Sequence, residues 1–281
     1  VPLEQKGGYD LHFSEETLEA TVKDYEILKA KIGGNYPYEV LGHNALHKEE
    51  PHIGPKVAGA ILHHQDGHAN PLKLLKALAA DVRRLGGHVL TGKTVTEVAK
   101  PDAFRVTCAD GTNVTSTKGV LSAGLGAAQL GPAMGFTAPI RPQRGQVLIT
   151  EKLPKLINRP SLIARQVDEG GIQIGATNEE VGLDDRVTQP GLSGLAAEAI
   201  AAYPELARAQ LVRSWSALRI LSPDGLPIYQ ESADMPGAYL VTCHSGITLA
   251  AAHARLLPDW LEGTSAAPDL EVFNETRFVI S

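Results

Sequence analysis

The sequence predicts a mixed α/β (α+β) fold in which two kinds of structure interleave along the chain. Three observations predict it. Residues 70–127 read as helix, strand, hairpin and strand, an order that belongs in an α/β nucleotide-binding architecture. The runs GQVLIT (145–150), SLIARQV (161–167) and GGIQIGAT (170–177) read instead as strands of an antiparallel sheet. The closing stretch YLVTCHSGITLAAAHARLLPDW returns to a strand (239–243) followed by a helix (247–260). A single cut into two sequential domains does not fit this alternation.

The elements follow in order. GGYDLHF (7–13) alternates weakly and predicts a strand. Ser14 is the N-cap of a helix with Glu15 and Glu16 in its first turn, where carboxylates suit the positive helix end. That helix ends at Ile32, before Gly33 and Gly34. Residues 35–69 are irregular, with a short apolar segment and a DG turn in AGAILHHQDGHANP. Asn70 caps a helix with Pro71 at its first position, and Leu75, Leu78, Val82 and Leu85 share one face. HVLTG (88–92) predicts a strand, TVTEVAK continues extended, and FRVTCADGTNVT (104–115) is a hairpin about its DG turn. KGVLSAGLGA (118–127) is a strand running into small residues. GLSGLAAEAIAAYPEL (191–206) is a helix and AQLVRSWSALRI (209–220) a long strand.

Composition narrows the function classes. Hydrophobic residues make up 43% of the 281, enough to bury the core of one large or two small domains. The net charge is -6 and no basic stretch offers a nucleic-acid groove. No apolar run is long enough to span a membrane. Cys108 and Cys243 form no CxxC pair and no disulfide framework, which fits a reducing, cytoplasmic setting. VPLEQKGGYDL has neither the basic region nor the apolar core of a signal peptide, and it lacks an initiator methionine. A processed product or a fragment is the expectation.

Few residues stand out for chemistry. In CHSGITLAAAHARLL, Ser245-Gly246 precedes an alanine-rich helical run. The first N–H groups of that helix, at Gly246, Ile247 and Thr248, would face outward and could stabilise a negative charge. The same pattern suits an ordinary strand-to-helix corner. Gly124 and Gly126 in SAGLGA carry little information alone. No complete GxGxxG follows a first strand. Arg219 sits inside the apolar run WSALRIL. A buried guanidinium is costly, so it reaches solvent, meets an acidic partner or faces a ligand carboxylate. Asp224, in the nearby turn, suits bonds to its own backbone. Arg141 and Arg144 either line a site or lie on the surface. The histidines of residues 43–68 do not match HExxH and have no cysteine among them, which argues against zinc. His244, beside the proposed helix start, is the best-placed histidine; its other role would be to hydrogen-bond the loop.

The set of segments resembles the FAD-dependent amine and amino-acid oxidoreductases, which include D-amino acid, glycine and sarcosine oxidases. GGYDLHFSEE, GAILHHQDGHANPLKLLKAL, GGHVLTGKTVTEV, GVLSAGLGA, PIRPQRGQVLIT, IGATNEEVGLDDRVT, WSALRILSPDGLPI and CHSGITLAAAHARLL follow the family order, and the tail FNETRF fits. SPDGLPIYQES with TCHSGITLAAAHA is most similar to the catalytic subunits of D-hydroxyproline dehydrogenase-like and opine oxidase-like enzymes. The resemblance implies an incomplete Rossmann-like FAD domain interleaved with a largely antiparallel substrate domain. Residues 1–57 and 138–222 would belong to the substrate domain, and 58–137 and 223–281 to the FAD domain. The family's N-terminal GxGxxG unit has no counterpart in this sequence, so the chain alone is expected to bind FAD poorly.

By position, the resemblance places Gly246, Ile247, Thr248 and Leu249 beside the flavin ring, and Val95, Ala123 and Gly124 along the nucleotide. Arg219 takes the place that binds the substrate carboxylate, with His244 as the further candidate. The family often has Arg-Pro there, and this chain has Arg219-Ile220. No flavin-linking cysteine is evident, so noncovalent FAD is expected. The implied substrate is a small D-amino or secondary (imino) acid. Partner subunits would carry electrons onward.

Overall fold

A computed structural model describes residues 3–34, 36–100 and 102–278. The last three residues of the tail, and with them the end of the expected segment 223–281, lie outside the described residues. The chain forms two compact units, each assembled from separated stretches. The first comprises Val1–Asp81, Arg144–Glu179 and Asp184–Ala217, and the second Val82–Gln143, Glu180–Leu183 and Leu218–Ser281. By compactness, residues 58–81 group with the first unit.

Capping chemistry acts where the sequence places it. Ser14 Oγ accepts the Thr17 N–H at 3.2 Å, and the helix Glu15–Lys31 follows, acidic in its first turn and basic in its last. Asn70 Oδ1 accepts the N–H groups of Leu72 and Lys73 and opens the helix Pro71–Arg84. That helix keeps its predicted apolar stripe, but Leu75, Leu78, Val82 and Leu85 are all exposed. Its periodicity is correct even though none of its residues is buried.

Two expectations need correction. HVLTG forms no strand; the strand begins at Val95 and runs Val95–Ala99. Gly86 and Gly92 turn the chain on either side with φ of 87° and 68°, and Leu90 between them stays exposed. Residues 35–69 are more regular than expected. They contain the strand Glu39–Gly42 and the helix His43–Glu49. The strand buries only Leu41, and the helix N-cap Gly42 makes no side-chain cap bond, so neither pattern was legible.

In the first unit, the strands Gly8–His12 and Glu39–Gly42 flank Gly59–His63, all antiparallel. A second sheet of this unit runs in the order Ala164–Gln166, Gly171–Gly175, 144–152 and 211–217, the last two being parts of the strands Arg141–Lys152 and Leu211–Leu221. Alternate residues Tyr9, Leu11, Ala60 and Leu62 join Leu148, Ile172 and Ile174 in one core. The helix Gln189–Ala202 packs Leu195, Ala199 and Ala202 onto it.

The RGQ stretch builds a polar knot in this unit. Arg144 is buried and meets Glu179 Oε2 at 2.6 Å and Asp184 Oδ2 at 3.2 Å. Gln146, fully buried, donates to Glu179 Oε1 at 2.7 Å and Thr188 Oγ1 at 2.8 Å. Its own Oε1 accepts the Thr188 N–H at 2.7 Å, at the start of the helix Gln189–Ala202. A Cβ at Gly191 would collide with Gln146 Nε2, so only glycine admits the amide. Arg144 is thus a structural residue. Arg141 pairs with Glu180 and is exposed.

The Glu179 carboxyl is held down to about 2, first by Arg144 and then by Thr177 and Gln146. A depressed carboxyl pKa contributes stability above its ordinary value of 4.5, lost as pH falls from there toward about 2. The urea midpoint should therefore fall over that window. Glu179→Gln should lower stability at pH 7 and flatten the acid dependence; an unchanged acid limb in the variant would contradict the assignment.

Candidate functional site

The second unit contains a three-stranded sheet of mixed direction. Ala238–Thr242 pairs antiparallel with Ile228–Glu231 on one side and parallel with Gly119–Leu121 on the other. The parallel register is Ala238 with Gly119, Tyr239 with Val120, and Leu240 with Leu121. Both strands therefore end on the same side of the sheet. Open α/β sheets bind ligands outside such carboxyl ends. Ala123-Gly124 follows one strand and Cys243-His244-Ser245-Gly246 the other.

The two corners differ in kind. Gly124 has φ of +58° and opens a 3₁₀ turn, Gly124–Gly126. A Cβ there would meet Ile220 Cδ1 at 3.2 Å, which sets the strand end carrying Arg219-Ile220 beside this corner. At the second corner the expected helix start needs correction. Residues 246–249 form a turn, and the helix runs Ala250–Glu262. The first turn bonds are from the Leu249 N–H to Ser245 O at 2.9 Å and from the Ala250 N–H to Ile247 O at 3.2 Å. The N–H groups of Gly246, Ile247 and Thr248 come before them and have no backbone acceptor among the described residues. All three residues are exposed. A Cβ at Gly246 would find nothing nearer than Cys243 Sγ at 3.9 Å. A ligand can therefore reach three N–H donors at the end of a parallel strand.

The helix is fixed against the sheet by its polar and aromatic residues. Tyr229 OH and His253 Nε2 share a hydrogen bond of 2.6 Å. Burial pushes the Tyr229 hydroxyl up to about 12 and lowers the His253 pKa, so at neutral pH the pair is an uncharged brace. Trp260 packs edge-on against Tyr239, with centroids 5.0 Å apart, and Lys118 Nζ donates to Leu261 O at 2.6 Å near the helix end. Burial also raises the Cys243 thiol pKa, which keeps it a thiol.

Arg219 is half-buried, and burial lowers its pKa. Its Nη1 lies 3.5 Å from Gln143 Oε1, and Gln143 Nε2 donates to Glu180 Oε1 at 2.8 Å. Sequence reasoning missed Gln143 and the Tyr229–His253 brace; nothing in their spacing marks them. His244 is exposed, with Nδ1 at 3.2 Å from Ser245 Oγ, so it hydrogen-bonds the loop. Val95 lies in a different sheet, paired with Cys108, and packs on the core of this unit. The structure thus gathers Ala123, Gly124 and 246–249 at one sheet end and leaves Val95 apart. Among the described residues no group of three or more His, Cys, Asp or Glu is placed to hold a metal.

The tail motif clasps the turn after Arg219. Arg277 Nε and Nη2 donate to the Asp224 carboxylate at 2.8 and 3.1 Å, and Nη2 also to Pro227 O at 2.9 Å. Asp224 in turn accepts the Leu226 N–H at 3.0 Å and faces Ser222 Oγ at 3.1 Å. Arg277 is the first cause holding Asp224 well below the usual carboxylate range. Buried Glu275 accepts the N–H groups of Thr137 and Ala138 at 2.9 and 2.7 Å. Arg277→Gln should cost about 1–2 kcal/mol, since the pair is partly exposed. Hydrogen exchange at Leu226 should quicken in the variant; unchanged exchange would show that the clasp does not hold the turn.

Comparison with known proteins gives a consistent picture. The family model described as FAD dependent oxidoreductase (DAO) matches residues 1–260. An opine oxidase subunit of Rhizobium meliloti is 36% identical over 280 residues, covering 99% of this chain and 75% of that protein. Hydrogen cyanide synthase subunit HcnC of Pseudomonas protegens is 33% identical over 289 residues, covering 96% of this chain and 68% of that one. The crystal structure of glycine oxidase from Geobacillus kaustophilus superposes with a TM-score of 0.90 at 24% identity, over 99% of this chain and 76% of that one. The mixed fold is therefore that of the glycine oxidases, and the chain belongs to the DAO family of FAD-dependent oxidoreductases.

Proposed function

We propose that the protein oxidises the C–N bond next to the carboxylate of a D-amino acid or a secondary (imino) acid, with D-hydroxyproline as the named candidate. The observation that carries this reading is Arg219. Its guanidinium is half-buried near the end of the strand Leu211–Leu221, 3.5 Å from the Gln143 amide, and the next residue, Ile220, meets the Gly124 corner. The guanidinium can take a carboxylate in two parallel bonds.

The residues at the sheet end fit the flavin. The N–H groups of Gly246, Ile247 and Thr248 form an open donor set, with room at Gly246 for a ring edge to approach. When bound, FAD supplies the acceptor for the hydride of the substrate α-carbon. The donor set would stabilise charge on an electron-rich ring edge. Leu249 closes the turn, and Ala123, Gly124 and Val95 would serve the nucleotide. Arg219 orients the carboxylate and with it the α-carbon. No side-chain base is demanded; His244, its Nδ1 3.2 Å from Ser245 Oγ, is the further candidate beside the corner. Water then hydrolyses the imine, or, from a cyclic secondary amine, the cyclic imine is released. The thiol character of Cys243 supports noncovalent FAD.

The corner residues fall in the segments 58–137 and 223–281, which we assign to the FAD-binding part; 1–57 and 138–222 would be the substrate part. The likeness to a protein named as a subunit of opine oxidase supports a multi-subunit assembly in which partner chains carry electrons onward. Two free cysteines accord with a cytoplasmic setting. No described helix is long and apolar enough to cross a membrane.

A second reading, a glycine or sarcosine oxidase that passes electrons to oxygen, is favoured by the sequence likeness to glycine oxidase. Anaerobic addition of a D- and secondary amino-acid panel to the flavin-loaded protein separates the two. Bleaching of the oxidised flavin band by D-hydroxyproline or D-proline is the expected result. Bleaching by glycine or sarcosine alone supports the second reading. A chain that takes up no flavin when the complete protein is supplied with FAD would be a noncatalytic assembly subunit instead. Arg219→Met should lower kcat/KM roughly 100-fold, about 2.7 kcal/mol of carboxylate binding, while leaving the flavin spectrum unchanged. A wild-type rate in that variant would remove Arg219 from the site.

A further inference from the structure

The first unit holds a cleft of about 400 Å³ beside the strands Gly8–His12 and Gly59–His63. One part of its lining is aromatic. The rings of Tyr25, Tyr36 and His63 pack edge-on, with centroids 5.2 to 6.0 Å apart. A second part is acidic. Tyr25 OH donates to Asp10 Oδ2 at 3.4 Å. Asp66 lines the same cleft and is exposed, and its carboxylate has no hydrogen-bond or ion-pair partner among the described residues. A Cβ at Gly8 would lie 3.1 Å from Asp66 Oδ2, so glycine leaves that carboxylate its place against the strand. Burial, then Asp10 and Tyr36, push the Tyr25 hydroxyl up to about 12, and Asp10 and Asp66 both line the cleft.

The third part is cationic. Arg165 lines the cleft and is half-buried. Its guanidinium donates to Gln173 Oε1 at 3.2 and 2.7 Å and to Ala69 O at 3.4 Å. All of these acceptors are neutral, and no carboxylate pairs with Arg165 among the described residues. Burial alone lowers its pKa. A desolvated guanidinium without a counter-charge is unfavourable, and a bound anion relieves it.

We propose that this cleft binds a free α-amino acid, its carboxylate on Arg165 and its ammonium on Asp10 and Asp66 against the Tyr25 and Tyr36 rings. A guanidinium matches a carboxylate in two parallel bonds. Carboxylates and aromatic faces together attract an ammonium. The volume lies within the range of small-molecule sites, roughly 300–1,000 Å³. The site does not rest on the redox reading. Its lining residues all belong to the first unit, whereas Arg219 and the 246–249 corner belong to the second.

Titration calorimetry on the complete protein tests it, with glycine, leucine and glutamate as ligands. Isoamylamine and 4-methylpentanoate serve as the two halves of leucine. Saturable one-to-one binding of at least one amino acid is expected, tighter than either half. Asp66→Asn should weaken the amino acid and isoamylamine about tenfold and leave 4-methylpentanoate unchanged. Arg165→Gln should do the reverse to the two halves. Arg219→Met should leave all three unchanged. Asp66 is exposed, so its variant keeps the fold even where Arg165→Gln does not. Absence of binding by all three amino acids would overturn the proposal. So would affinities unmoved by Asp66→Asn, or binding lost only in Arg219→Met, which would put the ligand at the reaction site instead.

Discussion

The parallel pairing of Ala238–Leu240 with Gly119–Leu121 is the constraint on which the geometry of the second unit's two corners depends. Parallel strands end together, and the chain must leave both at the same edge. One exit passes Gly124, whose positive φ turns it tightly against Ile220. The other passes Gly246, with open space around it and three N–H donors ahead of the first turn bond. A one-residue slip in this register would move Leu121 or Leu240 off the buried face and shift one corner along the other. The donor set is thus a consequence of backbone pairing and needs no special side chain.

Charged residues take up the work of holding these strands, which explains why so many are not at the site. Arg144 reads in the sequence like a possible ligand arginine, yet its charge is taken up by Glu179 and Asp184. Asp224 reads like a turn residue and is one, but Arg277 also holds it from the tail. Arg165 differs from Arg144 in its surroundings: it is half-buried beside Gln173 and the Ala69 carbonyl. Neighbours decide which arginines are structural, and neighbours come from tertiary structure.

Much of the fold was legible in the residues. Ser14 and Asn70 announce their helices because a short polar side chain can satisfy nearby N–H groups. Asp110-Gly111 marks its hairpin because Gly111 accepts φ of +82°. Where the local signal is weak, the pattern misleads. The strand Glu39–Gly42 buries one side chain, and HVLTG has strand-forming residues but no strand to pair with. The last helix starts at Ala250, three residues after the expected 247, because a turn and a first helical turn share composition. The site divides in the same way. Gly124, Gly246 and Arg219 were visible through the ordered segments of the family pattern. Gln143 and the Tyr229–His253 brace were not, because each acts through a partner distant in sequence.

In the proposed reaction the 246–248 corner and Arg219 act together. A crystal structure of the flavin-loaded protein with a bound carboxylate inhibitor would test it most directly. The ring edge of FAD is expected within hydrogen-bond distance of the Gly246–Thr248 N–H groups, and the inhibitor carboxylate bidentate on Arg219. A carboxylate held elsewhere, or a flavin ring away from that corner, would contradict it.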